Sequence, residues 1–220
     1  MTASTPIRLL PALLLLSFAS GCAEPDAAVA DAPAAAAGAT ATPASTTSAS
    51  AQSAAATPTA AQKPAREPDV IYVPTPQPVV DAMLEMAEVK KGDVLYDLGS
   101  GDGRIPITAA KKYGVRGTGI DINPQRIAEA NENAQREGVT ELVTFKEADL
   151  FKEDFSDANV VTLYLLDSLN EKLRPRLLAE LKPGTRIVSH AFRMGDWEPE
   201  ETRTVANSTI YRWTVPERKK

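Results

Sequence analysis

The chain has 220 residues, enough for one folded domain plus extensions, and its 43% hydrophobic content is spread very unevenly. Twenty-four basic against 29 acidic side chains give a formal net charge of −5, which offers no basic footprint for nucleic acid. The single cysteine, Cys22, excludes an intramolecular disulfide.

At the N-terminus, Arg8 precedes the apolar run Leu9 to Phe18, and Ala19-Ser20-Gly21 supplies small residues ahead of Cys22. The run is far shorter than the roughly 20 residues a membrane-spanning helix needs. A lone cysteine directly after such a run resembles a bacterial lipoprotein processing site. The resemblance implies a signal peptide over 1–21 and acylation of Cys22. With Ala23 following, the sorting pattern implies an anchor in the outer membrane, facing the periplasm; a plain secretory signal with an incidental cysteine is the alternative. Residues 22–68 are mostly Ala, Thr, Ser and Pro, with Pro33, Pro43, Pro58 and Pro64 interrupting any helix and nothing larger than Val29 to bury. This composition predicts a disordered tether with an r.m.s. span of roughly 35 to 40 Å.

Residues 69–220 form the predicted domain. The tail contains Arg8, Lys63 and Arg66 against Glu24, Asp26, Asp31 and Glu67, which leaves the domain 21 basic and 25 acidic side chains. That balance mildly favours a neutral or basic acceptor. The prolines of DVIYVPTPQP predict an extended segment over 69–78. Helical spacing then puts Val79, Val80, Met83, Leu84 and Ala87 on one apolar face ahead of Lys91-Gly92. The apolar run Val94-Leu95-Tyr96 ends in Asp97 and breaks into Gly99, Gly101 and Gly103, a buried strand entering a ligand loop. A helix follows over 105–113, expected to present free N–H groups to that ligand, with Gly114 as its stop. A second strand over 117–120 ends at Asp121, and Asn123-Pro124 caps a helix over 124–137 with Ile127, Ala130 and Ala134 inward.

Further along, a strand over 142–145 leads to Asp149, and 154–157 reads as a solvated turn. The apolar run 160–166 predicts a central parallel strand. A helix over 169–181 places Leu173, Leu177 and Leu181 on one side, closed by Pro183-Gly184. A strand over 186–189 and two more, over 202–205 and 209–215 around Asn207, complete an α/β chain of five alternating units and a terminal hairpin.

The glycine loop departs from the dinucleotide fingerprint, which needs a glycine where Arg104 stands. Its carboxylates, Asp97 and Asp102, would repel a pyrophosphate and attract a cation. S-adenosylmethionine has no phosphate and carries a sulfonium and an ammonium, which Asp97 suits. Asp121, about 20 positions on at the end of the second strand, stands where a carboxylate accepts from both ribose hydroxyls. The stretch VLYDLGSGDGR resembles motif I of class I S-adenosylmethionine-dependent methyltransferases, and the resemblance covers essentially all of 70–215.

That resemblance implies a Rossmann-like, doubly wound sheet of seven strands and a methyltransferase reaction. It implies cofactor contacts by Asp97, Gly99, Ser100, Gly101 and Asp121, Asp149 on the adenine amino group, and a segment with Tyr72 and Thr75 over the cofactor. The combination YVPTP, DLGSGDGRI, LYLL and PGTRIVSHAF followed by Trp197 looks like a relative of the small lysine methyltransferases whose mitochondrial members modify membrane proteins such as the c-ring protein of the ATP synthase. The implied acceptor is a protein lysine or similar amine. No metal or nucleic acid is expected, and a monomer is.

For the acceptor pocket the candidates are Tyr164, Asp167 and His190, facing Phe192, while Trp197 and Trp213 read as packing. Tyr164 either faces the acceptor or is buried in the strand. His190, the sole histidine, is either a general base or a structural residue at a strand end. A non-catalytic exported binding lipoprotein that keeps the fold is the competing class, since S-adenosylmethionine is generally a cytoplasmic metabolite.

Overall fold

The computed structural model describes residue 67 and residues 70–218; Cys22, the signal-like run and the tether lie outside them. The elements run α1 (Gln77–Met86), β1 (Val94–Leu98), α2 (Arg104–Tyr113), β2 (Arg116–Asp121), α3 (Pro124–Glu137), β3 (Val143–Glu147), β4 (Val160–Leu163), α4 (Asp167–Glu180), β5 (Arg186–His190), β6 (Glu201–Val205) and β7 (Ser208–Thr214). The seven strands form one sheet in the order β3-β2-β1-β4-β5-β7-β6. The first five are parallel, and the β6–β7 hairpin adds two antiparallel strands at the β5 edge. This is the doubly wound arrangement expected from the sequence.

Strand alternation divides the core between the two faces of the sheet. Leu95, Val160 and Val188 pack with α1 residues Val80, Met83 and Leu84 and with Ile105 and Ala109 of α2. Their neighbours Tyr96, Val161 and Ile187 pack with Leu173, Leu177 and Leu181 and with Trp213 on the other face. A smaller cluster joins α2 and α3 to β3 through Ile107, Ala110, Ala134 and Val143. Asn123 caps α3 as expected, its side chain accepting from the Gln125 N–H, and Gly138 ends that helix in the left-handed conformation.

Five expectations are corrected. The fourth strand stops at Leu163 rather than at 166, because its partner β1 runs out at Leu98, opposite Leu163, and turns into the glycine loop. Tyr164, Leu165 and Leu166 therefore leave the sheet, and Leu166 is 42% exposed. The next helix starts earlier, at Asp167, and carries Pro175 in its interior between the fully buried Leu173 and Leu177. The stretch 154–157 is not fully solvated: Phe155 is completely buried, with the Arg176 guanidinium 4.7 Å from its ring centre. Finally, Pro78 lies in the first turn of α1 and not in the extended segment, and Ile127 is only half-buried.

Candidate active site

The glycine loop is closed on itself. The N–H groups of Gly99 and Ser100 both donate to the Ile120 carbonyl, at 2.8 and 3.0 Å, and that of Gly103 donates to the Ser100 carbonyl at 3.0 Å. The Gly101 N–H donates to Asp121 Oδ2 at 2.9 Å, and the Arg104 N–H to Asp102 Oδ1 at 3.3 Å. These loop donors do not form a phosphate cradle. Two of the glycines make room for protein side chains. A Cβ at Gly101 would stand 2.2 Å from Tyr72 Cε2, and one at Gly99 would stand 2.9 Å from Leu165 Cδ2. The segment before α1 and the segment after β4 thus meet on the loop.

The charges correct a further expectation. Burial pushes the Asp102 carboxyl up, but the Arg104 guanidinium outweighs it and holds Asp102 below the usual carboxylate range, through bonds of 2.9 and 2.6 Å. The negative character of the site therefore rests on Asp97 and Asp121. Asp97 is 2% exposed and accepts from Thr162 Oγ1 at 2.7 Å. Burial pushes its pKa up to about 7, against the Thr162 bond and reinforced by the nearby Asp121 and Asp102. Asp121 accepts from Gly101 N and, through Oδ1, from Asn123 N at 2.9 Å. Each oxygen keeps a second lone pair for a ligand hydroxyl.

A cavity of about 580 Å³ opens beyond the carboxyl ends of β1 and β4, where the strand order reverses. Tyr72, Thr75, Asp97, Gly99, Ser100, Asp121 and Asp149 all line it. Gly101 does not, being covered by the Tyr72 ring. Ser100 Oγ is buried without a hydrogen-bond partner, and a Cβ at Gly119 of β2 would stand 2.7 Å from it. Asp149 Oδ1 accepts from the Phe151 N–H at 3.0 Å, which turns the chain after β3 along the cavity.

The acceptor candidates separate. Tyr164 and Phe192 line the same cavity, with ring centres 6.1 Å apart, so Tyr164 is not buried in the strand. His190 lies behind Tyr164, 2% exposed and outside the cavity lining, with ring centres 3.9 Å apart. Its Nδ1 is 3.1 Å from Thr75 Oγ1, and burial pushes its pKa down. His190 is thus set behind the aromatic wall and not against the cavity, a placement that suits a structural residue at a strand end better than a general base. Asp167 also lies outside the lining: its Oδ1 accepts from the Arg193 N–H at 2.7 Å and ties α4 to the loop after β5. Trp213 is fully buried, donating from Nε1 to the Trp197 carbonyl at 2.7 Å, as packing residues do.

Three contributors were not singled out from the sequence. Arg104 donates from its guanidinium to the Thr75 carbonyl at 2.8 Å, and the Arg126 guanidinium stands 4.7 Å from the Tyr72 ring centre. The two arginines clasp the segment 70–76 over the loop. Asn170 of α4, fully buried, donates to Ser189 Oγ and to the Phe192 carbonyl at 3.2 and 3.3 Å, fixing the aromatic wall. All three act across long sequence separations, where local pattern carries no signal. Among the described residues no group of His, Cys, Asp and Glu is placed to hold a metal ion, and no helix is long and apolar enough to cross a membrane.

The ANTKMT methyltransferase domain matches residues 97–201. A protein-lysine N-methyltransferase of Saccharolobus islandicus is 48% identical over 157 residues, which are 69% of this chain and 98% of that protein. The adenine nucleotide translocase lysine N-methyltransferase of Mus musculus is 35% identical over 131 residues, 59% of this chain and 56% of that protein. Among solved structures, an RNA methyltransferase from Salinibacter ruber in complex with S-adenosyl-L-homocysteine is 57% identical, with a TM-score of 0.66 over 67% of this chain and 97% of that one.

Proposed function

The chain belongs to the family of S-adenosylmethionine-dependent methyltransferases that the ANTKMT domain describes, and from this premise we propose that its acceptor is a protein lysine or similar amine. S-adenosylmethionine supplies a methyl carbon on a positive sulfonium. In this reading Asp97 takes the cofactor's amino group, Asp121 its ribose hydroxyls and Asp149 its adenine amino group, and their common place on the cavity lining, with Ser100 beside them, supports it. Tyr72, clasped by Arg126, closes over that half of the cavity.

The observation that carries the amine reading is that Tyr164 and Phe192 face the same cavity as the carboxylates. Their ring faces hold an aliphatic stem and stabilise an ammonium by about 0.5 to 2 kcal/mol. An amine withdrawn from water between them has its pKa lowered, so it enters the reaction neutral, with its proton lost to solvent. Holding that neutral nitrogen in line with the methyl carbon, roughly 3 to 3.5 Å away, is the chain's main contribution to rate. The name of the Saccharolobus relative supports a lysine acceptor. The name of the Salinibacter structure raises RNA as a second acceptor class, against which the excess of 25 acidic over 21 basic side chains in residues 69–220 weighs. Incubation with methyl-labelled cofactor, lysine-bearing peptides and structured RNA tests the reading. Label in N-methylated lysine supports it, and label only in ribonuclease-sensitive material overturns it.

For the N-terminus the proposal is an acylated Cys22 that anchors the domain to a bacterial membrane, supported by the apolar run Leu9 to Phe18 and the small residues before the cysteine. Mass spectrometry of the mature N-terminus checks it, and an unmodified Cys22 rules it out.

A further inference from the structure

We propose that Lys63 is itself methylated by this chain's active site, in cis; the inference rests on the lysine reading above and names one acceptor. The chain enters the fold across the mouth of the cavity: Val70 to Thr75 line it, with the Tyr72 ring on Gly101. Glu67, just ahead of that segment, is exposed. Lys63 stands seven positions before Val70 and is the only lysine ahead of Lys90. Seven residues span at most about 25 Å at 3.3 to 3.6 Å each, so the linker is long enough to double back on the cavity it leads into. A link this short gives an effective concentration on the order of millimolar, well above that of a dilute external acceptor.

The entrance suits this segment. Every large hydrophobic side chain found exposed among the described residues, Ile71, Tyr72, Val73 and Leu166, lies on this one cavity. Around Lys63 the sequence reads AAQKPA, with no charge within two positions and nothing bulky to exclude. Apolar contact at the rim by the residues flanking Lys63 therefore costs no desolvation of charge, while the carboxylates inside draw its ammonium inward. The exposed lysine closest in sequence to a cavity-lining residue on the other side, Lys152, is held in the folded loop with its ammonium 3.6 Å from Asp149.

The step balances simply. The Lys63 ammonium gives its proton to solvent, and its lone pair forms the new N–C bond. The C–S bond breaks with its electron pair on sulfur, leaving a neutral thioether and a methylammonium that carries the positive charge.

The experiment incubates the full-length chain with deuteromethyl-labelled S-adenosylmethionine and reads the peptide containing residue 63 by mass spectrometry. The expected result is methyl label on Lys63, at a rate per chain that does not change over a tenfold range of protein concentration, and no label at this position in Lys63→Arg. A nitrogen-15-labelled Asp121→Ala full-length chain, mixed with the parent at a cofactor concentration below the parent's dissociation constant, should take label at least tenfold more slowly than the parent. Label on that chain at a rate matching the parent's overturns the cis assignment. An unlabelled Lys63 beside a methylated lysine peptide in the same tube overturns the inference and leaves the lysine reading standing. If S-adenosylhomocysteine binds but neither Lys63 nor any lysine peptide takes label, both fall.

Discussion

At Asp97 the demands of folding and of binding oppose each other. Its folded pKa of about 7 lies above the ordinary 3.8, so folding favours the protonated form. The stability associated with this group is fully present below about pH 4 and is lost as pH rises through 7. A shift of about three units corresponds to at most about 4 kcal/mol. Asp97→Asn should therefore raise the melting temperature of the ligand-free protein, more at pH 8 than at pH 5, as read by calorimetry. Cofactor binding runs the other way, since the ligand's ammonium needs the carboxylate. Affinity for S-adenosylhomocysteine should fall as pH drops below about 7, and Asp97→Asn should flatten that dependence while weakening binding at pH 8 by at least tenfold. Asp121→Ala should weaken binding by a similar factor, because it removes the ribose acceptor together with the bond from Gly101 N. Calorimetric titration giving the parent's affinity for Asp121→Ala would dismiss its assignment.

Among the elements, the glycine loop ties the cofactor half of the cavity to the acceptor half. Tyr72 from the segment before α1 packs on Gly101, and Leu165 from the segment after β4 packs on Gly99. Gly101→Ala puts a methyl group where the Tyr72 ring lies, 2.2 Å from Cε2, so the ring and its clasp by Arg126 must move. The expected outcome is a folded protein with cofactor affinity reduced at least tenfold; unchanged affinity would show that the Tyr72 clasp plays no part in binding. On the acceptor side, Tyr164→Ala should lower kcat with S-adenosylhomocysteine affinity intact, since the ring stacks on His190 and Phe192 rather than on the loop. Parallel loss of both would move Tyr164 into the cofactor site.

The strand, the loop and the Asn123 cap were legible because each is a local pattern of apolar run, glycine or capping residue. The end of β4 was not, because Tyr164-Leu165-Leu166 continues the apolar run after β1 has ceased to pair. Nor was the clasp, since Arg104 meets Thr75 across 29 positions and Arg126 meets Tyr72 through space. His190 looked ambiguous for the same reason: its burial behind Tyr164 is a property of two strand ends brought together.

For the whole molecule, the doubly wound sheet gathers Asp97, Asp121 and Asp149 from β1, β2 and the turn after β3 at one end, and Tyr164 and Phe192 from the turns after β4 and β5 beside them. A ligand that bridges these turns should couple them, so binding should appear as global stability. S-adenosylhomocysteine at 100 times its dissociation constant contributes about 2.7 kcal/mol to a two-state fold. For a domain of this size each kcal/mol moves the melting temperature by about 2 to 4 °C, which predicts a rise of about 5 to 11 °C. NAD should give none at the same concentration. The N–H groups of Gly99, Ser100, Gly101, Gly103 and Arg104 are already committed inside the loop, and the Asp97 carboxylate at its start would repel a pyrophosphate. At the same ligand concentration, a tenfold loss of affinity in Asp121→Ala should cut the rise with S-adenosylhomocysteine to about half. A comparable rise with NAD would mean that the loop opens to release its donors, and the closed loop could then no longer explain the choice of cofactor.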